Sequence, residues 1–181
     1  MRIAVTGGVA EGKSTVVASL AKRGLRCVSA DEFAREVRGE PQTRRLIAGE
    51  FGLDVDGLED GLRHALADPA ARRRLNELMH PLVWSRLQAT PHDVAEVPLL
   101  VEACLQDAYD YVVVVTCGPA EQRRRLVERL GDEALADQIL RTQLPSRAKK
   151  PFADLIVRTD GTLEDVHSAT GKIAAVFSGT P

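Results

Sequence analysis

The chain has 181 residues, of which 44% are hydrophobic and only 4% aromatic, a globular mixture that predicts one domain with an aliphatic core. Its net charge of -2, the absence of a signal-peptide pattern and the lack of an apolar run near the ~18 residues of a membrane span give no reason to expect nucleic acid or a membrane as a partner. Cys27, Cys104 and Cys117 are odd in number, widely spaced and without metal-ligand spacing, as is typical of free thiols in a reducing cytoplasm, where we expect the protein to be.

The beginning of the chain predicts a strand–helix–strand–helix unit of the kind that builds parallel sheets covered by helices. Strands are expected at Arg2–Val5 and Leu25–Ser29, and helices at Lys13–Arg23 and Asp31–Arg38. Gly24 stands just past the cationic last turn of the first helix, where glycine commonly ends helices.

The stretch from Pro41 to Thr90 contains no convincing strand, and its helical patterns are separated by turns rich in Gly, Asp and Pro. We interpret it as a helical insertion between the second and third strands. Pro81 is expected to break the last of these helices. Because the residue before a proline is biased towards an extended backbone, His80 would be exposed at a kink and aimed at a pocket, although a lone histidine is more often structural.

The rest of the chain returns to alternating strands and helices, which completes a predicted five-stranded parallel α/β sheet. The expected strands are Val94–Leu100, Tyr111–Thr116 and Ala153–Val157, and the expected helices are Pro119–Leu130, Gly131–Leu144 and one from Leu163 onward. Pro98 should mark the end or the edge of its strand. The apolar run YVVVVT should be central and buried on both faces, and Thr162 with Asp165 should cap the last helix.

A phosphate-binding loop is predicted at residues 7–14 (GGVAEGKS), which fit G-x-x-x-x-G-K-[ST] between a strand and a helix. Its three glycines permit positive φ angles, and successive backbone N–H groups can then surround an anion together with the start of the helix. The residues expected to contact a nucleoside triphosphate are Gly7, Gly8, Ala10, Glu11, Gly12, Lys13, Ser14 and Thr15.

Within this loop, Lys13 is predicted to reach the β- and γ-phosphates, Ser14 to bind Mg²⁺ and Thr15 to contact the α-phosphate. Glu11 is unusual because a carboxylate adds like charge beside the anion. We therefore expect its side chain to point outward to solvent.

The loop alone fits a GTPase, an ATPase or a small-molecule kinase. The chain has no Asn-Lys-x-Asp motif of the kind that GTPases use to read the base, and motor or transporter ATPases are normally larger. A kinase also needs a carboxylate near the acceptor hydroxyl, an acceptor pocket and cations around the transferred group. Asp31, at the carboxyl end of the second strand, is a candidate for the carboxylate, and capping of the following helix is an equally good explanation. Arg35 follows Asp31 on the same helix face.

The polar stretch from Arg123 to Lys150 is a candidate lid over the phosphates. Its arginines have the planar, forked donors that suit phosphate oxygens, although most surface arginines only interact with water. The candidates are Arg125, Arg129, Arg141 and Arg147.

In combination these features resemble the dephospho-coenzyme A kinase family. The matching segments run almost from end to end: Thr6–Thr15, Ala30–Val37, Phe51–Gly52, Asp56–Val83, Val97–Glu102, Glu121–Arg129, Gln138–Gln143 and Ala153–Ile156. The phosphate loop is generic, whereas Asp-x-x-Ala-Arg, Leu-x-x-x-x-His-Pro-Leu and Val-Pro-Leu-Leu in this order are specific.

The resemblance implies a single doubly wound α/β domain of the P-loop kinase type over residues 1–181. Its core would comprise residues 1–40, 92–120 and 151–181, with a helical acceptor-binding insertion at 41–91 and a lid region at 121–150. It further implies transfer of the γ-phosphate of ATP, with Mg²⁺, to the ribose 3′-hydroxyl of dephospho-CoA in the final step of coenzyme A biosynthesis.

Carried onto this chain, the resemblance makes Asp31 the catalytic base beside the phosphate-binding Lys13. Arg35, His80 and Pro81 match acceptor-site positions, and Arg125 and the region from Arg141 to Arg147 match lid positions. The chain departs from the family pattern where Ala10 and Glu11 replace Gly and Ser, and where Thr159 lies in a run that lacks a usual Asn. Two alternatives remain open at this point: a kinase for another small acceptor such as a nucleoside monophosphate, and a non-catalytic nucleotide-binding regulator.

Overall fold

The computed structural model of the chain describes residues 1–177. The strands are β1 (Ile3–Thr6), β2 (Cys27–Ser29), β3 (Val94–Glu96), β4 (Tyr111–Thr116) and β5 (Leu155–Arg158). The helices are α1 (Lys13–Ala21), α2 (Ala30–Gly39), α3 (Pro41–Phe51), α4 (Leu58–Ala65), α5 (Pro69–Ala89), α6 (Pro119–Leu130), α7 (Glu133–Thr142), α8 (Ser146–Lys149) and α9 (Leu163–Phe177). Within residues 1–177, no helix combines the length and the apolar character that crossing a bilayer requires.

Residues group into two compact units, of which the first contains Met1–Ser29 and the chain from His92 onward, and the second contains Ala30–Pro91. The first unit holds a five-stranded sheet in the order β2-β3-β1-β4-β5, and every pairing is parallel. This confirms the predicted parallel α/β sheet. β4 pairs with β1 and β5 and is buried from its second residue onward, as its apolar run predicted.

One face of this sheet forms the apolar core of the first unit. Ile3 and Val5 of β1 pack with Val113 and Val115 of β4, because alternate residues of a strand point to the same face. Helices α1 and α9 cover this face with Val16, Leu20, Val166 and Ile173. At α9, the Thr162 hydroxyl accepts from the Asp165 amide (3.2 Å) and the Asp165 carboxylate accepts from the Thr162 amide (2.8 Å), and these reciprocal bonds confirm the predicted cap.

The third strand is shorter than predicted, since β3 ends at Glu96 rather than at Leu100. The Val97 amide still donates to the Val5 carbonyl (2.9 Å), and the Leu100 amide then turns back to the Val97 carbonyl (3.2 Å). Pro98 has no N–H to donate to a ladder, so the expectation that it marks the strand end is confirmed.

Within Ala30–Pro91 the second unit consists of helices joined by turns, without a strand, as predicted for Pro41–Thr90, and its core contains Val37, Ile47, Leu58, Leu62 and Met79. The predicted break at Pro81 is wrong, because α5 continues through that residue from Pro69 to Ala89. Proline in a helix interior costs about 3 kcal/mol. Met79 before it and Leu82 and Val83 after it pack on the same core, and their burial offsets this cost.

A hydrogen-bonded ion pair ties together the starts of three strands in the first unit. The Asp93 carboxylate accepts from the Arg26 amide (2.8 Å) and from Nε and a terminal nitrogen of its guanidinium (3.0 and 2.6 Å). The Asp93 carbonyl accepts from the Ile3 amide (2.9 Å). Hydrogen bonds from the Arg26 side chain lower the pKa of Asp93 from 3.8 to about 2.

Because the pKa of Asp93 is depressed by folding, its stabilising contribution is present above about pH 4 and is lost as the pH falls towards 2. We expect Asp93→Asn to lower the free energy of unfolding by about 1 kcal/mol at pH 7. The difference from the parent should shrink as the pH falls from 4 towards 2. Urea unfolding across this range measures the effect, with Asp107→Asn, an exposed aspartate of the same unit, as the control. A difference that stays constant with pH would contradict the assignment.

Candidate active site

The loop between β1 and α1 has the backbone geometry of an anion-binding turn. Gly7 and Gly12 have φ angles of +150° and +85°, which favour glycine. A Cβ atom at Gly7 would lie 2.4 Å from the Val115 carbonyl oxygen of β4. Gly8 has no positive φ, contrary to our expectation. A Cβ there would lie 2.4 Å from Nε2 of Gln122, so that side chain would have to shift to admit a larger residue.

The predicted phosphate-contacting residues Lys13, Ser14 and Thr15 form the first turn of α1. Gly12 precedes α1 and has no side chain that could cap it. The N–H groups at the start of the helix therefore have no side-chain acceptor from the capping residue, and the positive end of the helix dipole lies beside the loop. The Lys13 side chain is buried, and its Nζ donates to the Gly8 carbonyl across the loop (2.9 Å). Ser14 and Thr15 are exposed in the first turn. Backbone donors, one cation and hydroxyl oxygens therefore converge on one end of α1.

The side chain of Glu11 points into the protein, so the expectation that it faces solvent is wrong. It is 1% exposed, and its carboxylate accepts hydrogen bonds from the Gly8 amide (2.5 Å), from the Thr116 hydroxyl (3.0 Å) and from the Ser146 hydroxyl. An isolated buried carboxylate is very unfavourable, and three donors make this burial possible. No feature of the loop sequence indicated these partners, because Ser146 is far away along the chain.

Other residues that contact the loop were also missed by the sequence analysis. Gln122 of α6 donates to the Val9 carbonyl (2.9 Å), and Oε1 of Gln143 accepts from the Val9 amide (2.9 Å). The Thr159 hydroxyl donates to the Glu11 carbonyl (2.7 Å). Thr116 is the last residue of β4 and Thr159 directly follows β5, at the edge where ligand sites of parallel sheets lie, so that rule would have found them. The two glutamines carried no such signal.

The four predicted lid arginines have different environments. Arg125 on α6 donates to Glu121 (2.7 Å) and to the Thr159 carbonyl (2.6 Å), so it contacts a residue that itself contacts the loop. Arg129, Arg141 and Arg147 are exposed. Hydrogen bonds from Arg124 and then Arg125 lower the pKa of Glu121 to about 2, so this carboxylate stays charged at neutral pH.

The predicted acceptor-site residues belong to the second unit. Asp31 and Arg35 are exposed on α2, and His80 and Pro81 are exposed on α5, the helix against which α2 packs. Asp31 is the second residue of α2, so it lies in the first turn rather than at the capping position before it. His80 is helical rather than extended, because α5 continues through Pro81.

Two of the three cysteines, Cys27 and Cys117, do not have the properties of reactive thiols. Burial raises the pKa of the Cys27 thiol to about 11, and burial likewise raises the pKa of Cys117. A nucleophilic cysteine needs a lowered pKa, since the thiolate is the reactive form. The chemistry of this site therefore depends on oxygen and nitrogen groups.

Ala10 is in the left-handed region with φ +60°, where an L-residue is strained by roughly 1–2 kcal/mol. Replacement by glycine removes this strain but makes the unfolded chain more flexible. We expect Ala10→Gly to change the free energy of unfolding by between about 0 and +1 kcal/mol. The matched control is Ala18→Gly on the exposed face of α1, which should lose about 1 kcal/mol. Equal losses in urea unfolding would contradict the strain at Ala10.

Comparisons with known proteins agree with this geometry. A family model described as dephospho-CoA kinase matches residues 1–165. A dephospho-CoA kinase of Shouchella clausii is 38% identical, with 96% of this chain and 99% of the relative covered. One of Anaeromyxobacter dehalogenans is 41% identical, with 98% and 92% covered.

Solved structures share the fold. A crystal structure from Thermus thermophilus has a TM-score of 0.76 at 26% identity, with 97% of each chain covered. A shikimate kinase from Bacteroides thetaiotaomicron has a TM-score of 0.58 at 18% identity, with 98% of each chain covered, and has the same fold. The chain therefore belongs to the dephospho-CoA kinase family.

Proposed function

We propose that this chain transfers the γ-phosphate of ATP to the 3′-hydroxyl of the ribose of dephospho-CoA. The observation that carries the proposal is the near full-length match to curated dephospho-CoA kinases, since the phosphate loop alone fits many kinases. The three free cysteines further support a reducing, cytoplasmic location.

The loop residues would hold the triphosphate of ATP. Backbone N–H groups and the N-terminus of α1 suit its oxygens, and the Lys13 ammonium would stabilise the charge that develops on the transferred group. The exposed Ser14 hydroxyl is a hard oxygen donor of the kind Mg²⁺ prefers, so it fits as a ligand of this ion. When bound, Mg²⁺ neutralises charge on the phosphates.

Asp31 would act on the acceptor. A carboxylate within hydrogen-bond reach of the 3′-hydroxyl orients it and accepts its proton as the oxygen bonds to the γ-phosphorus. The bond between the γ-phosphorus and the bridging oxygen breaks at the same time, and ADP leaves with the electron pair. Arg35, His80 and Pro81 would bind the acceptor, and Arg125, Arg129, Arg141 and Arg147 would balance the phosphate charge.

The role of Asp31 predicts a specific kinetic defect. Asp31→Asn preserves shape but removes the proton acceptor, so turnover should fall at least about 100-fold while the affinity for ATP changes less than about twofold. An ADP-release assay and calorimetric ATP binding measure the two quantities. Glu32→Gln, which alters the neighbouring carboxylate in the same turn of α2, is the control and should keep most of the turnover. Turnover in Asp31→Asn equal to that of the control would rule out the role.

A panel of acceptors tests the reaction itself. Dephospho-CoA should gain one phosphoryl group by mass spectrometry, with ADP released in equal amount. Coenzyme A is the sharpest negative control, because its 3′-oxygen already carries phosphate. Transfer to a nucleoside monophosphate in preference to dephospho-CoA would overturn the assignment.

A further inference from the structure

The buried Glu11 carboxylate joins three parts of the first unit at one point. One oxygen accepts from both the Gly8 amide of the loop and the Ser146 hydroxyl at the start of α8. The other accepts from the Thr116 hydroxyl at the end of β4. Thr116 is the last residue of β4, whereas Ser146 is the first residue of α8 in the segment between α7 and β5. The carboxylate therefore links the loop both to the end of β4 and to the start of α8.

Residues 143–149, which we call the clamp segment, have further bonds to the same region. Gln143 accepts from the Val9 amide of the loop (2.9 Å). The Leu144 amide donates to Glu102 (3.2 Å), and the fully buried Lys149 donates to Glu102 (2.9 Å) and to the Pro98 carbonyl (2.7 Å). The clamp segment is thus held by two carboxylates, one of which lies within the loop itself.

The Ser146 hydroxyl stabilises the buried Glu11 carboxylate, because a carboxylate shielded from water depends on each hydrogen bond that it accepts. If the clamp segment moved away, the Glu11 carboxylate would lose the Ser146 hydroxyl and accept from one hydrogen-bond donor fewer. That less compensated charge lies within a loop built to hold a polyanion, so it would repel phosphate more strongly. The position of the clamp segment and the affinity of the loop for phosphate are then linked energetically.

We propose that Glu11 is a positioning residue that acts through Ser146, so that the phosphate loop binds ATP tightly only while the clamp segment is seated. The inference rests on the proposed function only in taking ATP as the ligand of the loop. It does not depend on the identity of the acceptor.

The first test compares two buried serines. Ser146→Ala removes the donor to Glu11, and Ser19→Ala removes a hydroxyl of similar burial that bonds to Thr170 instead. Calorimetric titration with Mg²⁺ and ATP, without any acceptor, should show about tenfold weaker binding for Ser146→Ala. Ser19→Ala should bind within about twofold of the parent, even if both variants lower the melting temperature to a similar degree.

A second variant separates coupling from packing. Glu11→Gln keeps the shape of the side chain and removes its charge, so the Ser146 hydroxyl then makes only a neutral hydrogen bond. On this background, Ser146→Ala should weaken ATP binding by no more than about threefold, compared with about tenfold on the parent background. In turnover assays, Ser146→Ala should raise KM for ATP with kcat nearly unchanged, whereas partial unfolding would lower kcat alone.

Two results would overturn the coupling. One is equal ATP affinity in Ser146→Ala and Ser19→Ala, and the other is a Ser146→Ala effect of the same size with Glu11 and with Gln at that position. A parent protein that binds no ATP would refute the inference and the proposed function together. A parent that binds ATP without phosphorylating dephospho-CoA would refute only the acceptor assignment, while the titrations still decide the coupling.

Discussion

The pairing of β1 between β3 and β4 determines which residues can contact the phosphate loop. Because all five strands are parallel, their carboxyl ends meet at one edge of the sheet, and the loop leaves β1 at that edge. The neighbouring strand β4 ends there at Thr116, and Thr159 follows β5. Gly7 is pressed so closely against Val115 of β4 that no side chain fits. The conformation of the anion-binding turn therefore depends on contact with β4 as well as on the turn's own sequence.

Buried charge is a recurring feature around this turn, and each charged group has a partner. Lys13 donates to the Gly8 carbonyl, Glu11 accepts from three donors, and Lys149 pairs with Glu102. Removing one partner from such a group costs more than the net gain from the intact pair, since the remaining charge stays buried. Displacement of one member of such a pair should therefore destabilise the group that it leaves behind. This is the physical basis of the coupling that we propose between the loop and residues 143–149.

Local signals in the sequence predicted much of the architecture. The strand order needed the structure, but the existence of five strands, the helical stretch from Pro41 to Thr90 and the cap of α9 followed from patterns of a few neighbouring residues. Predictions failed where distant contacts outweighed a local preference. Pro81 did not end α5, because residues on both sides of it pack on one core, and Glu11 did not face solvent, because donors from remote segments receive it.

The sequence by itself determined that the chain has a phosphate loop on a parallel α/β scaffold and carries the motifs of dephospho-CoA kinases. These properties follow from residue types at short, regular spacings, because such spacings determine local backbone conformation and the periodicity of buried positions. Only the tertiary structure decided the side-chain network around the loop, including Glu11, Thr116, Ser146 and Thr159. Hydrogen bonds between segments more than 100 residues apart depend on how strands and helices pack, and no local pattern records that arrangement.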